Sequence, residues 1–173
     1  MKGTIVNCLG ELVSSKFGKD KWEQALEIAG LNKNAMFMVF ADIDDAQVMK
    51  VVQSVCKVLN ITLEQAADAF GDYWVNVYSQ KLYGHYYKKY TNAKDFLLSM
   101  DSVHEAMTKS MVNSAPPRFS YEIVNEKTII INYKSKRNLI QFLVGLIKGV
   151  GNYYKENLRV KLLNNNRVEV VFP

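Results

Sequence analysis

The stretch "NSAPPR" (113–118) limits the possible folds more than any other, because two adjacent prolines end a helix and cannot donate to a strand ladder. The chain changes character there. Upstream, apolar residues recur at helical spacing; downstream, short β-branched runs alternate with polar residues. The spacing predicts helices over about 3–17, after Asp20, over 44–60, and over a long run from Thr62 to Tyr83 opened by a Thr62–Gln65 capping box. Asn92 is placed to cap "AKDFLLSM", and Ser102 with Glu105 makes a second capping-box pattern opening "VHEAMTKSMV". Beyond the prolines, "FSYEIV" and "TIIINYKSK" flank a turn at Asn125-Glu126. "NLIQFLVGLIKGVGNYY" returns to helical period, and "LRVKLL" and "RVEVVFP" flank "NNN". The expected class is α+β: a helical N-terminal part, then a four-stranded antiparallel sheet carrying a helix.

At 173 residues the chain fits one domain with a real core. No apolar run is long enough to span a bilayer and no signal peptide precedes the first helix, so the expectation is a cytoplasmic protein with no membrane partner. Cys8 and Cys56 have neither metal-site nor disulfide-framework spacing, which suits reduced thiols. The net charge of +5 is spread out and identifies no partner. "GHYYKKYTNAK" mixes tyrosine with lysine as single-strand nucleic-acid sites do. It has no second basic stretch to make a groove, so a solvated face is expected and no nucleic acid. Asp42, Asp44 and Asp45 lack the glycine and terminal glutamate of a calcium loop and read as helix caps. Gly145, Gly149 and Gly151 fall inside a helical pattern, where close helix packing explains them better than a phosphate loop.

Only two histidines occur, which leaves a poor inventory for hydrolytic triads or multi-histidine metal sites, and no enzyme is expected. His85 lies in a polar, aromatic stretch suited to a loop or helix end. His104 sits near Val103, Met107 and Met111 on a helix. It is either a partly buried structural residue or the single imidazole that a haem protein needs. One further cluster is unusual. If "TIIINYKSKR" continues as a strand, Tyr133, Ser135 and Arg137 share the face of Ile129 and Ile131. Such a row is either a polar sheet face meeting water, or a set of donors for a carboxylate of the chain or for two carboxylates of a cofactor.

The stretch "NYKSKR" contains Tyr-x-Ser-x-Arg, and with "MKGTIVN", "WEQAL", "FADIDD", "AFGDYWV", "SMDSVHEAM", "SAPPRF" and "GLIKGVG" in order it resembles the haem–nitric oxide/oxygen binding (H-NOX) family. That family includes stand-alone bacterial sensors and the haem domain of soluble guanylate cyclase. The resemblance implies one H-NOX domain over 1–173, a helical part of about 1–62 and a haem-embracing part of about 63–173, with haem b (Fe protoporphyrin IX) between them. It implies that His104 is the proximal iron ligand, that Tyr133, Ser135 and Arg137 hold the propionates, and that Pro117 distorts the haem. Ile5, Leu9, Trp74, Phe142 and Leu146 would line an apolar distal pocket. Relatives that bind oxygen stably carry tyrosine where Phe142 stands, so the resemblance implies a sensor selective for nitric oxide, also taking carbon monoxide. Its binding would weaken or break the iron–His104 bond and signal to a histidine kinase or cyclic-di-nucleotide enzyme. Two alternatives stay open: an oxygen-binding H-NOX protein using Tyr78 or Trp74 as distal donor, and a haem-free interaction module.

Overall fold

The computed structural model describes residues 1–109 and 113–173, and the chain divides into two compact units, Met1–Ala66 and Ala67–Pro173. The predicted continuation of the His104 helix through Met111 lies outside the described residues.

The first unit holds three helices, α1 (Gly3–Phe17), α2 (Lys19–Ile28) and α3 (Asp45–Leu59). Val6, Leu9, Leu12 and Val13 of α1 are buried at the spacing of one helical stripe, and α1 stops at Gly18, whose φ of +104° suits glycine. In α3, Val48, Val51, Val52 and Val55 are buried. Of the three aspartates expected to cap, only Asp44 is the N-cap; Asp45 pairs instead with the Met1 amine. Asp44 caps α3 by accepting from the Gln47 amide at 3.2 Å, and Asp42 pairs with Lys2 at 2.6 Å. Thr62 and Gln65 form their reciprocal box, with bonds of 2.9 and 3.2 Å.

That box opens α4 (Leu63–Tyr73), which runs through a π-helical turn (Trp74–Tyr78) into α5 (Ser79–Tyr87). The helical run therefore continues past Tyr83 and places His85 in its last turn. The wider turn is supported by side chains: Gln80 donates to the Val75 carbonyl at 2.7 Å, and the Asn76 amide donates to the Asp72 and Gly149 carbonyls at 3.1 and 3.2 Å. Next comes α6 (Ala93–Thr108), capped by Asn92 Oδ1 accepting from the Asp95 amide at 2.8 Å. Here one expectation is corrected. The Ser102–Glu105 pattern opens no second helix; Ser102 is exposed in mid-helix, because nothing around it breaks the helical backbone that a capping residue must leave.

Strands β1 (Arg118–Asn125) and β2 (Thr128–Lys134), helix α7 (Ile140–Tyr154), and strands β3 (Arg159–Asn164) and β4 (Arg167–Val171) complete the chain. All pairings are antiparallel and the order is β1-β2-β4-β3. Ile129, Ile131, Val168 and Val170 form the buried face of the central strands, in one core with Leu143, Val144 and Ile147 of α7. α7 also lies backbone to backbone on α4: a Cβ on Gly145 would stand 2.1 Å from the Ala67 carbonyl oxygen, and one on Gly71 2.1 Å from the Gly145 carbonyl carbon. The glycines thus serve close helix packing, flanked by a Lys148–Asp68 ion pair of 2.7 Å.

β2 ends at Lys134, which corrects the second expectation. Ser135 Oγ accepts from the Arg137 amide at 3.2 Å and Asn138 takes a left-handed φ of +51°, so the chain turns where a continuing strand was expected. Tyr133, Ser135 and Arg137 are not a row on one strand face.

Candidate functional site

A small, partly open cavity of about 80 Å³ lies in the second unit. Three elements build its functional wall. The π-helical turn contributes Trp74, α6 contributes Met100 and His104, and β1 contributes Phe119 and Tyr121. The rest is mostly apolar: Val75, Phe96, Leu97, Ile131 and the α7 side chains including Leu146, with the Tyr87 ring of α5.

His104 is held from several sides. Its Nδ1 faces the Pro117 carbonyl oxygen at 3.4 Å, its ring lies 5.4 Å from that of Phe119, and its carbonyl accepts from Thr108 Oγ1 at 2.7 Å. Burial pushes its pKa below the ordinary histidine value, against the opposing pull of the Pro117 carbonyl and the Asp101 carboxylate. The imidazole is therefore neutral at physiological pH, the form that ligates a metal. With Nδ1 turned to a carbonyl, the proton belongs on Nδ1 and Nε2 carries the lone pair.

One turn before His104, Asp101 ties α6 to the start of β1. Arg118 grips it bidentately through Nε and Nη2 at 2.8 and 2.6 Å, and the Phe119 amide donates to it at 2.8 Å. The Arg118 guanidinium, helped by the Phe119 amide, lowers the Asp101 pKa from 3.8 to about 2. A carboxyl depressed in the folded state contributes stability above its unfolded pKa and loses it as pH falls through the folded value. Asp101→Asn is thus expected to lower stability near neutrality and to flatten its pH dependence between 3.8 and about 2. Denaturant unfolding across that window checks this; identical slopes for both proteins would refute it.

Tyr121 lines the cavity with a buried hydroxyl that has no hydrogen-bond partner. It lies beside the main chain of Asp101 without hydrogen-bonding geometry, and burial pushes its pKa up to about 12, so it remains a donor. A buried donor left unmade costs roughly 1–3 kcal/mol, so an acceptor that reaches this hydroxyl is favoured.

Of the residues singled out in the sequence, Trp74, His104 and Leu146 meet at this cavity. Pro117 reaches the site through its carbonyl. Tyr133 is buried with its ring 6.1 Å from that of Phe119. Arg137 is half-buried in the turn after β2 and donates to the Ala115 carbonyl at 2.6 Å, so the premise of a fully buried guanidinium is corrected. Phe142 packs edge-on against Phe70 and Tyr78 stacks on Trp74; neither is among the lining residues. Ile5 and Leu9 lie on α1, in the first unit. Phe119, Tyr121 and the Asp101–Arg118 clamp were missed. Their one signal was the alternation of "RFSYEIV", which puts Phe119 and Tyr121 on one strand face.

A single neutral imidazole in a largely hydrocarbon cavity is the donor set that a flat, apolar macrocycle with one axial base requires, and the residues present fit haem. The family model for Haem-NO-binding domains matches residues 2–162. The chain belongs to the Haem-NO-binding family. This H-NOX chain is 26% identical over 173 residues to the soluble guanylate cyclase gcy-34 of Caenorhabditis elegans, a match covering 98% of this chain and 25% of the relative. It thus spans about a quarter of the curated relative's length. In fold it is similar to a Cs H-NOX variant carrying 4-cyano-L-phenylalanine, with a TM-score of 0.89 at 24% identity over 99% of this chain and 96% of that one. It is similar also to an oxygen-binding H-NOX domain related to soluble guanylate cyclases and solved as its oxygen complex, with a TM-score of 0.84 at 24% identity over 99% and 95%. The four-stranded antiparallel sheet with its helices is therefore the H-NOX fold. No helix among the described residues is long and apolar enough to cross a membrane.

Proposed function

We propose that this H-NOX domain is a nitric oxide sensor in which His104 Nε2 holds the iron of haem b. The observation that carries the proposal is the neutral His104 imidazole, oriented by the Pro117 carbonyl, in the wall of an otherwise mostly apolar cavity. Ferrous haem supplies the gas-binding centre; the chain supplies its orientation and surroundings. Tyr133, Ser135 and Arg137, gathered at the end of β2 and the turn beyond it, are the proposed donors to the propionates. Pro117 is the proposed residue that presses on the macrocycle, since it joins the His104 contact to β1.

Selectivity for nitric oxide over oxygen, with carbon monoxide also accepted, is supported by the side chains available. A hydrogen-bond donor favours bound oxygen much more than nitric oxide. Phe142 and Leu146 have none to offer, and Tyr78 lies against the Trp74 ring outside the cavity lining. Were gas binding to weaken or break the hold of His104 on the iron, α6, whose Asp101 is clamped to β1, would be released, and that release is the proposed signal to a histidine kinase or cyclic-di-nucleotide enzyme. A ligand shifts such an equilibrium only by its different affinity for the two states, and the lost bond provides that difference.

A second reading rests on Trp74. Trp74 belongs to the cavity wall, and its indole N–H is the donor this reading would aim at oxygen. Optical spectra of the reduced protein decide between them. The expected result is a haem band that shifts with nitric oxide to the form lacking an axial histidine, and no stable oxygen adduct in air. A stable adduct in air would move the function to oxygen, and a protein that takes up no haem would refute both.

A further inference from the structure

The hydroxyl of Tyr121 and Nε2 of His104 are complementary groups in one cavity. β1 brings them near each other. Phe119 and Tyr121 share a strand face, and the Phe119 ring is 5.4 Å from the His104 ring. The Tyr121 hydroxyl lies beside the main chain of Asp101, three residues before His104, and residues three apart on a helix are neighbours. The hydroxyl is a buried donor without an acceptor. His104, with Nδ1 turned to the Pro117 carbonyl oxygen, presents Nε2 as an acceptor.

While Nε2 is bound to iron its lone pair is used. Once His104 lets go, that lone pair becomes a buried acceptor, which is costly unless a donor meets it. We propose that Tyr121 is this donor: its hydroxyl hydrogen-bonds to Nε2 of the released His104 and so favours the released state. The inference rests on the reading of His104 as the iron ligand. It makes Tyr121 a positioning residue that sets how readily the sensor switches, and it removes two unsatisfied groups in one step. Both side chains line the same cavity, and the proposed bond is made by a change in the His104 rotamer.

The test is Tyr121→Phe in the haem-loaded protein, reduced and titrated with nitric oxide without oxygen. The readout is the ratio of the spectral form with His104 released to the form with it retained. One neutral hydrogen bond corresponds to roughly a five-fold change, so the variant's ratio is expected to fall about five-fold. The variant's melting temperature is expected to stay the same or rise, since the hydroxyl has no hydrogen-bond partner while His104 is retained. An unchanged ratio overturns the proposal. So does a ratio that falls together with the melting temperature, which would make the hydroxyl a structural bond, and so does a parent protein that never releases His104. A protein in which His104→Gly leaves the haem spectrum unaltered instead refutes the ligand assignment on which the inference rests.

Discussion

Replacing His104 by glycine is expected to abolish the axial hold on haem while leaving the cavity. Loss of an outer-shell partner typically costs ~10–100-fold in metal affinity, and loss of the ligand itself is expected to exceed that. Added imidazole should fill the space vacated by the side chain and restore both loading and the ferrous spectrum. A complication is built into the position, since His104 is interior to α6 and glycine costs about 1 kcal/mol there relative to alanine. Circular dichroism and thermal melting of the haem-free variant separate that modest loss from loss of the ligand. The outcome that sinks the assignment is a folded variant that retains haem as well as the parent, with the same spectrum and no response to imidazole. Another group would then have to hold the iron.

Much of this architecture was legible in the chain because it depends on local rules. The prolines at 116 and 117 separate helix from sheet, and Asp44, Thr62 and Asn92 cap the helices they precede through bonds to nearby amides. Glycines at 145 and 149 announced close packing because no other residue lets two backbones touch. The failures share a cause. Ser102 and Glu105 match a capping box, but whether the backbone leaves the helix there is decided by the packing of α6, to which the pattern is blind. The end of β2 depends on Ser135 bonding to the Arg137 amide, a local competition that strand alternation does not reveal. The π-helical turn has no periodicity signal at all; Asn76 and Gln80 are recognisable as its supports only when their acceptors are in place. At the site, His104 was visible as one of two histidines. Tyr121 was hidden among ten tyrosines, and only the burial of its unpartnered hydroxyl distinguishes it.

Gly145→Ala is expected to produce the largest loss of stability among small substitutions in the second unit. The added Cβ would stand 2.1 Å from the Ala67 carbonyl oxygen, 2.6 Å from its carbon and 3.0 Å from the Asp68 amide nitrogen. All three are backbone atoms of a helix, so no side chain can swing aside and α4 and α7 must move apart. Overpacking of this kind costs typically ~1–3 kcal/mol and occasionally more, and a clash with backbone belongs at or above the top of that range. The gain of helix propensity from glycine to alanine, about 1 kcal/mol, offsets only part of it. For a chain of this size each kcal/mol shifts the melting temperature by roughly 2–4 °C, so a fall of several degrees is expected. The movement also has a direction. Leu146, the next residue, lines the cavity, and so do Leu143, Ile147 and Val150 of the same helix, so haem affinity should fall with stability. Gly84→Ala in α5 is the matched control. Its Cβ would meet only Gln80 Oε1, at 3.2 Å, a side-chain oxygen that can shift by a few tenths of an ångström while its Nε2 keeps the bond to the Val75 carbonyl, and the propensity gain should leave the protein equally stable or more so. If the two variants melt alike, the backbone contact between α4 and α7 is not what requires glycine at 145. If they diverge as expected, that contact fixes the separation of α4 from α7, the helix that supplies four residues of the cavity wall.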